Sequence, residues 1–406
     1  MNSLAVNVNN TLTGYLVRSE FDLSLGEYFF RYQQDSSIPI SITMPVKPNG
    51  EDYYWSQGLP PIFDMNLPEG ALRQALNTRF SKTIAGFDDF DLLSIVGQSQ
   101  IGRLNIGDRS QPQNDLSFSE LLHYDGSESL LSYLVTRYAE QSGISGVQPK
   151  ILVRNSDHLN ESADHFSYKN TTHIIKGWGD DFPELALNEF LCMSLAEKVG
   201  LPVPELTLSD NGQFLFVARF DIDPTGQFLG FEDFCVLAGR QSKQKYDGTF
   251  EGCTKIIKTL IPAPLRSESL KHFFTSLVLS VAVQNGDAHL KNFGLLYDDP
   301  LNINSYRLAP CFDVVSTIPY IADDTMALLL AGTKRWANRA VLQAFGEKHC
   351  DLSARSANEV IECVLDAMMD MQQTCAMYLG RRQQADQLVQ KLEESWHKGA
   401  AILQRH

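Results

Sequence analysis

Val283-Gln-Asn-Gly-Asp-Ala-His-Leu-Lys-Asn-Phe-Gly294 is the stretch of this 406-residue chain that decides its fold class. It follows an apolar run over residues 273–282 that has the composition of a buried helix. Polar side chains placed so densely at the end of such a helix are costly unless they serve a site. Asp287 and Asn292 are five positions apart, the spacing of a catalytic loop in which a carboxylate orients an attacking hydroxyl and an amide oxygen holds a metal. The stretch therefore predicts kinase-type phosphoryl transfer.

A second carboxylate, Asp313, lies in the apolar run over residues 308–317. A bare carboxylate in such surroundings needs a cation close by. A divalent metal shared by Asn292, Asp313 and the phosphates of a nucleotide would account for both side chains. ATP and Mg²⁺ are therefore the expected ligands of this part of the chain.

Lys176 and Glu189 are a further pair of candidates. Lys176 comes near the end of a strand predicted over residues 171–178, the position from which a kinase lysine reaches the α- and β-phosphates. Glu189 lies in a helix predicted over residues 183–200, and its neighbours at i−4, i+3 and i+4 are apolar, so it faces the core. A lone lysine at a strand end is usually solvated, and a buried glutamate can instead cap a backbone amide. Together the two side chains predict the lysine–glutamate ion pair of protein kinases.

Two loops complete the predicted nucleotide site. The run Ser142-Gly-Ile-Ser-Gly-Val-Gln-Pro-Lys150 contains two glycines and two hydroxyls. Such a loop can lay backbone N–H groups against phosphate, although an ordinary turn is the alternative. The run over residues 206–221 has the pattern of a hairpin turned on Asn211-Gly212. This hairpin would bring residues 218–220 to a hinge, where they could line an adenine slot.

The whole-chain composition limits the possible partners and compartments. A net charge of −15 and a pI near 5.0 argue against a broad nucleic-acid surface and leave room for a local basic patch or a basic partner. The seven cysteines are scattered without a C-x-x-C motif, as expected for reduced packing residues in a cytoplasm. No run approaches the ~18 apolar residues of a membrane span, and the N-terminus lacks the pattern of a signal peptide. We therefore expect a soluble, cytoplasmic protein without a membrane partner.

The chain divides into three predicted parts. Residues 1–105 contain short strand-like runs, including an edge strand over residues 38–42, and no catalytic constellation, which indicates a β-rich structural or partner-binding subdomain. A polar, turn-rich stretch over residues 105–120 is the predicted boundary. Residues 120–225 are the predicted ATP-binding lobe, and residues 226–406 are the predicted helical lobe with the catalytic and metal-binding loops.

These motifs occur in the kinase order and together resemble the HipA family, the serine/threonine kinase toxins of bacterial type II toxin–antitoxin systems. The block Asn285-Gly-Asp-Ala-His-Leu-Lys-Asn292 is the most specific part of a resemblance that spans nearly the whole chain. The resemblance implies an α+β, protein-kinase-like two-lobed fold with an N-terminal β-rich subdomain and an all-helical C-terminal lobe. It also implies phosphorylation of a protein serine, with aminoacyl-tRNA synthetases as the substrate class. A small DNA-binding, HipB-like antitoxin would neutralise the protein, which would contact DNA only through that partner.

The same resemblance assigns roles to individual residues. Asp287 would be the catalytic base. Asn292 and Asp313 would be the Mg²⁺ ligands. Lys176, paired with Glu189, would contact the α- and β-phosphates.

Further residues follow from the family's glycine-rich loop and hinge. Members of the family inactivate themselves by phosphorylating a serine in this loop. Gly143 stands at the usual position of that serine, which leaves Ser145 or Ser142 as the candidates for autophosphorylation. The remaining predicted ATP-binding residues are Gly143, Ile144, Ser145, Gly146, Val147, Gln148, Lys150, Ala218, Phe220, His289 and Lys291.

Two other functions stay open at this point. The pattern Asp287-x-His289-x-x-Asn292 is also that of phosphoinositide-type lipid kinases, although the acidic charge and the lack of a basic cluster argue against a membrane substrate. A catalytically idle module that acts only as the partner and co-repressor of an antitoxin is the third possibility. Retention of Lys176 and Glu189 beside the loop argues against it, because an idle fold has no physical need for these charged groups.

Overall fold

The computed structural model describes residues 2–19, 27–84, 86–98, 100–107, 122, 165–169, 172–178, 182–380 and 382–404. In these ranges the chain builds an N-terminal domain, a second antiparallel sheet with a long helix, and a mostly helical C-terminal lobe. The predicted glycine-rich loop, residues 142–150, lies outside the described residues.

The N-terminal domain combines a sheet with short helices. Its described elements are β1 (Ser3–Val8), β2 (Thr11–Arg18), β3 (Tyr28–Tyr32), β4 (Tyr53–Trp55), α1 (Pro61–Asp64), α2 (Gly70–Phe80), α3 (Asp89–Val96) and β5 (Leu104–Ile106). The strands pair antiparallel in the order β4-β3-β2-β1-β5. Helix α3 begins with a capping box, in which the Asp88 side chain accepts from the Asp91 N–H and the Asp91 side chain accepts from the Asp88 N–H. The β-rich character predicted for this part of the chain is confirmed.

The edge strand predicted over residues 38–42 is wrong. In the described chain this segment forms no strand, and its backbone donors go to side chains. The Ile40 N–H donates to the Tyr32 hydroxyl at 2.9 Å, and the Ile42 N–H donates to Glu232 Oε1 at 2.7 Å. Pro39 has no N–H to contribute. A strand ladder would therefore lack the N–H groups of residues 39, 40 and 42.

A second antiparallel sheet and one long helix precede the hinge. Their elements are β6 (His165–Lys169), β7 (His173–Trp178), α4 (Leu185–Lys198), β8 (Leu206–Leu208) and β9 (Phe214–Ala218). The strand order is β6-β7-β9-β8. The turn between β8 and β9 needs Gly212, whose φ is +68°, and the Gly212 N–H donates to Ser209 O at 2.8 Å. The predicted hairpin is confirmed, as is the predicted helix with Glu189 on its buried face.

The C-terminal lobe is mostly helical rather than all-helical. Three short strands, β10 (Gly230–Asp233), β11 (Gly294–Tyr297) and β12 (Arg307–Leu308), form an antiparallel sheet beside the helices. Strands of two to four residues are too short to show an alternating pattern in the sequence. The described helices are α5 (Phe234–Leu237), α6 (Phe250–Leu260), α7 (Ala263–Ala282), α8 (Arg339–His349), α9 (Ala354–Ala376) and α10 (Gln383–Gln404).

Helix α7 is the centre of this lobe, and the predicted catalytic loop begins where it ends. Its Phe273 and Phe274 are fully buried in the largest hydrophobic cluster of the described chain. Helix α10 crosses it so closely that a Cβ on Gly399 would lie 2.0 Å from Ala282 O. The last turn of α7 is thus fixed by backbone contact, which gives the loop after it a rigid base.

The N-terminal domain packs directly on the rest of the protein. Ile175 of the second sheet and Leu296 of the third sheet share its hydrophobic core. Glu232 in β10 accepts hydrogen bonds from the Ile42 N–H and from the Tyr297 hydroxyl, each at 2.7 Å. Burial raises the pKa of the Glu232 carboxyl to about 7, although these donors act to lower it. The three parts of the chain therefore share buried polar and apolar contacts.

All seven cysteines are free thiols, and five of them are buried, as predicted for packing residues. Burial raises the pKa of the Cys235 thiol to about 12, so this sulfur stays protonated and unreactive. Across the described ranges, no helix combines the length and the hydropathy that crossing a membrane requires.

Candidate active site

The predicted catalytic loop turns tightly at Gly286. The Asp287 N–H donates to Asn285 Oδ1 at 3.0 Å, and the Gly286 N–H donates to Thr317 Oγ1 at 3.0 Å. A Cβ on Gly286 would lie 1.9 Å from Asp324 Oδ2. The glycine of the motif therefore lets the loop pass against Asp324, and this passage places Asp287 in the wall of the cleft.

Lys176 joins two carboxylates in the same cleft. Its Nζ lies 2.6 Å from Glu189 Oε1 and also donates to Asp313 Oδ1. Burial acts to lower the pKa of Lys176, but Asp313 and Glu189 outweigh it, so the pKa is raised and the ammonium stays charged. The fold thus brings together residues that are up to 137 positions apart in the sequence.

Asn292 and Asp313 meet as the metal prediction requires. Asn292 Nδ2 donates to Asp313 Oδ2 at 2.5 Å, while Asn292 Oδ1 accepts from the His289 N–H at 2.9 Å. Both side chains carry hard oxygen ligands, which suit Mg²⁺, and their contact places them close enough to share one ion. A rotation of the Asn292 amide would put its oxygen, in place of its nitrogen, beside Asp313. The two residues fit one divalent cation whose remaining ligands would be phosphate oxygens and water.

His289 is buried next to Asp287 and to Asn292, one of the two predicted metal ligands. Its Nε2 lies 3.9 Å from Asp287 Oδ1, and its buried Nδ1 has no hydrogen-bond partner within the described ranges. Burial lowers the pKa of the imidazole, which favours the neutral ring. A buried polar atom without a partner is costly. A ligand such as a nucleotide phosphate, which could supply that partner, would relieve the cost.

Lys291, predicted as an ATP contact, faces the N-terminal domain. Its Nζ donates to Glu69 Oε1 and to Ser242 Oγ, the latter at 3.2 Å. The Nζ of Lys245 donates to the other oxygen of Glu69 at 2.8 Å. Burial acts to raise the pKa of Glu69, but the two lysines outweigh it and hold that pKa at about 2. The assignment of Lys291 to ATP stays a prediction.

A cleft of about 730 Å³ contains these groups and an apolar slot. Ile174, Val217 and Phe220 line the slot, and the Phe220 ring stacks on Phe312 with centroids 5.1 Å apart. Apolar and aromatic walls with a few polar groups are typical of small-ligand sites. Of the two predicted hinge residues, Phe220 lines the cleft, whereas the described wall does not include Ala218 at the end of β9.

The predicted contacts of the glycine-rich loop lie outside the described residues, and so do both candidate phosphorylation sites. Their roles stay predictions. The residues concerned are Ser142, Gly143, Ile144, Ser145, Gly146, Val147, Gln148 and Lys150.

Sequence reasoning missed three residues that shape the site, namely Asn188, Tyr246 and Glu69. The Asn188 side chain donates to Ser316 O at 2.8 Å and accepts from the Ser316 N–H at 2.9 Å, which ties the segment after Asp313 to α4. The Tyr246 hydroxyl donates to an oxygen of Asp287. The one available signal for Asn188 was its position next to Glu189. Tyr246 and Glu69 lie in other segments and gave no signal.

Two lobes around such a cleft, with a lysine–glutamate pair in one and an aspartate–asparagine loop in the other, define a protein-kinase-like fold. The chain also matches the family models of the HipA N-terminal domain over residues 4–107 and of the HipA-like C-terminal domain over residues 142–372. It therefore belongs to the HipA family, and the predicted resemblance is confirmed.

Individual relatives agree with this assignment. "Putative kinase Y4mE" of Sinorhizobium fredii is 30% identical over 323 residues, which are 73% of each chain. "Serine/threonine-protein kinase toxin HipA" of Shewanella oneidensis is 22% identical over 356 residues, which are 78% of this chain and 76% of that one. A chain of the solved Shewanella oneidensis complex of HipA, HipB and operator DNA matches with a TM-score of 0.70 and 16% identity, covering 98% of this chain and 97% of that one. This likeness confirms the predicted two-lobed α+β fold.

Proposed function

We propose that the protein is an ATP-dependent serine/threonine protein kinase. Hydrogen bonds that join Lys176 to Glu189 and Asp313, in the cleft that also contains Asp287, carry this proposal. Placing charged groups in a partly buried cleft costs desolvation free energy, which their pairing with one another and a charged ligand can offset. Phosphoryl transfer needs each of these groups, since it requires a phosphate contact, metal ligands and a group that orients the acceptor.

Each residue has one role in the proposed reaction. Asp287 takes the proton of an acceptor hydroxyl while that oxygen bonds to the γ-phosphorus of ATP. The bond from this phosphorus to the β–γ bridging oxygen breaks, and ADP leaves with the electron pair. Lys176, oriented by Glu189, would hold the α- and β-phosphates. Asn292 and Asp313 would hold Mg²⁺, which neutralises charge on the phosphates when bound.

We further propose that the protein is the toxin of a toxin–antitoxin pair. One relative is named as a kinase toxin, and the matched solved structure contains HipB and operator DNA. By the family resemblance, the substrate would be a translation-related protein of the aminoacyl-tRNA synthetase class, and a HipB-like antitoxin would be the partner. The net charge of −15 favours contact with DNA through such a partner rather than directly.

Two alternatives are separated from this function by one set of assays. A lipid kinase is the second candidate because His289 stands two positions after Asp287, as in the loop of those enzymes. A protein kinase should transfer γ-phosphate from ATP to serine or threonine in lysate proteins, and should not label phosphatidylinositol vesicles. An idle co-repressor should release no ADP from Mg²⁺–ATP in either assay.

The variant Asp287→Gln tests the proposed chemistry. Transfer should be abolished and nucleotide binding retained, because only the group that orients the hydroxyl is removed. Turnover within about tenfold of the wild type, a barrier change of only about 1.4 kcal/mol, would exclude Asp287 as the base. In cells, the wild-type chain expressed without its antitoxin should arrest growth and Asp287→Gln should not. Equal toxicity of the two would overturn the kinase-toxin proposal.

A further inference from the structure

Tyr246 is placed next to the carboxylate that serves as the base in the proposed function. Its hydroxyl donates to Asp287 Oδ1 at 2.6 Å, and its ring meets the His289 ring edge-on with centroids 5.2 Å apart. A carboxylate accepts hydrogen bonds at both oxygens. A bond on Oδ1 therefore fixes the rotation of the Asp287 carboxylate while Oδ2 can receive the proton of the acceptor.

The segment over residues 242–246, which carries Tyr246, is attached to the catalytic loop by its backbone. The Leu290 N–H, inside that loop, donates to Lys245 O at 3.1 Å. The Lys291 Nζ reaches back to Ser242 Oγ at 3.2 Å. These two hydrogen bonds attach the segment to the loop, so a displacement of one should displace the other.

The N-terminal domain holds the same segment through two carboxylates. Glu69 accepts from Lys245 on one oxygen and from Lys291 on the other, an arrangement that we call the Glu69 bridge. The Ser242 N–H donates to Asp64 Oδ2 at 2.5 Å. The side chains of the two lysines are only 18% and 13% exposed, whereas the Glu69 side chain is 40% exposed, so the bridge is partly buried at its lysines and open to solvent at its carboxylate. A carboxylate that is bonded by a different lysine at each oxygen is better placed to fix geometry than an isolated surface ion pair.

We propose that Tyr246 is a positioning residue for the Asp287 carboxylate. The Glu69 bridge of the N-terminal domain holds the segment that carries Tyr246 in place beside the loop. This inference rests on the proposed kinase function and adds that the N-terminal domain completes the catalytic site. Positioning matters at this point because a displacement of about 1 Å at a reacting group can cost on the order of a hundredfold in rate.

The variant Tyr246→Phe removes only the hydroxyl and keeps the ring. We expect kcat to fall by roughly 10- to 100-fold, while the calorimetric Kd for Mg²⁺–ATP stays unchanged. The readout is ADP release from Mg²⁺–ATP with casein, a serine-containing acceptor protein. The matched control is Tyr54→Phe, because Tyr54 is a similarly exposed tyrosine whose hydroxyl lies 3.4 Å from a carboxylate oxygen of Asp52, away from the cleft.

A double-mutant cycle separates positioning from a merely structural role of the N-terminal domain. Glu69→Gln alone should lower kcat with no change in Kd for Mg²⁺–ATP. If Glu69 acts through Tyr246, adding Glu69→Gln to Tyr246→Phe should change kcat by less than about twofold. The control is Asp52→Asn, which weakens the Arg31–Asp52 pair in the same domain, away from the cleft, and should leave kcat unchanged.

The turnover of the wild type, the two single variants and the double variant supports or overturns the inference. Reduced turnover in both single variants, with no further loss in the double variant, supports the inference. An active wild type with an equally active Tyr246→Phe overturns it and leaves the kinase function standing. Losses that multiply in the double variant overturn the link from the N-terminal domain. A wild type that releases no ADP overturns the kinase function itself, and this inference with it.

Discussion

The Nζ of Lys176 lies 2.6 Å from Glu189 Oε1 and donates at the same time to Asp313 Oδ1. One ammonium thus binds two carboxylates, one from helix α4 and one from the segment after β12. Lys176 therefore couples the helix to that segment, in addition to the hydrogen bonds between Asn188 and Ser316. A change at any of the three residues should therefore affect both stability and ligand binding.

The variant Lys176→Met should weaken Mg²⁺–ATP binding and destabilise the protein. A hydrogen bond to a charged group contributes about 1.5–3 kcal/mol, so its loss should lower nucleotide affinity by roughly 10- to 150-fold. Removing Lys176 also leaves the buried Glu189 carboxylate without its counter-ion, which costs about 3–5 kcal/mol of folding stability. Calorimetry with Mg²⁺–ATP and denaturant unfolding measure the two effects.

Lys198→Met is the control for this change, because Lys198 pairs with Asp370 at 3.2 Å on an exposed surface and should alter neither quantity. Lys176→Arg keeps the charge, and so should keep more of the stability than Lys176→Met does. An unchanged affinity for ATP in Lys176→Met would contradict the assigned phosphate contact.

The variant Asp313→Asn should weaken Mg²⁺-dependent nucleotide binding. It replaces a charged ligand by a neutral one, and Mg²⁺ is a hard cation that prefers carboxylate oxygen. Titrations of ATP at several Mg²⁺ concentrations should show that the variant needs more Mg²⁺ for half-maximal binding. Asp298→Asn is the control, because Asp298 pairs with Arg307 on the surface. An identical Mg²⁺ dependence in Asp313→Asn and the wild type would remove Asp313 from the metal site.

Local sequence patterns predicted the parts of the site that depend on neighbouring residues. The spacing of Asp287 and Asn292 lies within one loop, and the apolar neighbours of Glu189 lie within one helix, so both could be found from the sequence. Tyr246 is 41 positions from Asp287, and Glu69 is 222 positions from Lys291. Contacts over such distances depend on how the domains pack, and no periodicity encodes them.

Two predictions, the strand over residues 38–42 and the all-helical lobe, were wrong because contacts between distant parts of the sequence decide the local structure there. Residues 38–42 have the alternation of a strand, but Tyr32 and Glu232 take the backbone donors that a ladder would use. The prediction of an all-helical lobe was wrong because β10 pairs with β11 only after three α-helices, α5, α6 and α7, have intervened. A strand of four residues gains its stability from such pairing rather than from its own sequence.

Folding stability should depend on pH through Glu232. The pKa of this carboxyl rises from 4.5 in the unfolded chain to about 7 in the folded protein because it is buried. Between these values the folded protein holds a proton that the unfolded chain has released, so stability is fully present below the lower value and falls as pH rises through about 7. The rise corresponds to on the order of 3 kcal/mol.

The variant Glu232→Gln cannot titrate at this position and should lose this part of the pH dependence. Chemical denaturation at several pH values between about 4 and 8 should show a smaller fall in the unfolding free energy for the variant than for the wild type. Glu347→Gln, at an exposed position on α8, should retain the wild-type slope. If Glu232→Gln also retained the wild-type slope, other carboxyls would carry the pH dependence.

Autophosphorylation should occur at Ser145 in preference to Ser142. Ser145 lies between Gly143 and Gly146, nearer the predicted tip of the loop. A phosphoserine adds about −1.5 to −2 charges at neutral pH, and a loop that covers a triphosphate could not hold that charge against it. The modified protein should therefore lose ATP binding. Intact-mass measurement and peptide mapping after incubation with Mg²⁺–ATP test this, with Asp287→Gln as the inactive control. Phosphate found only on Ser142, or on neither serine, would refute this prediction and leave the kinase function unaffected.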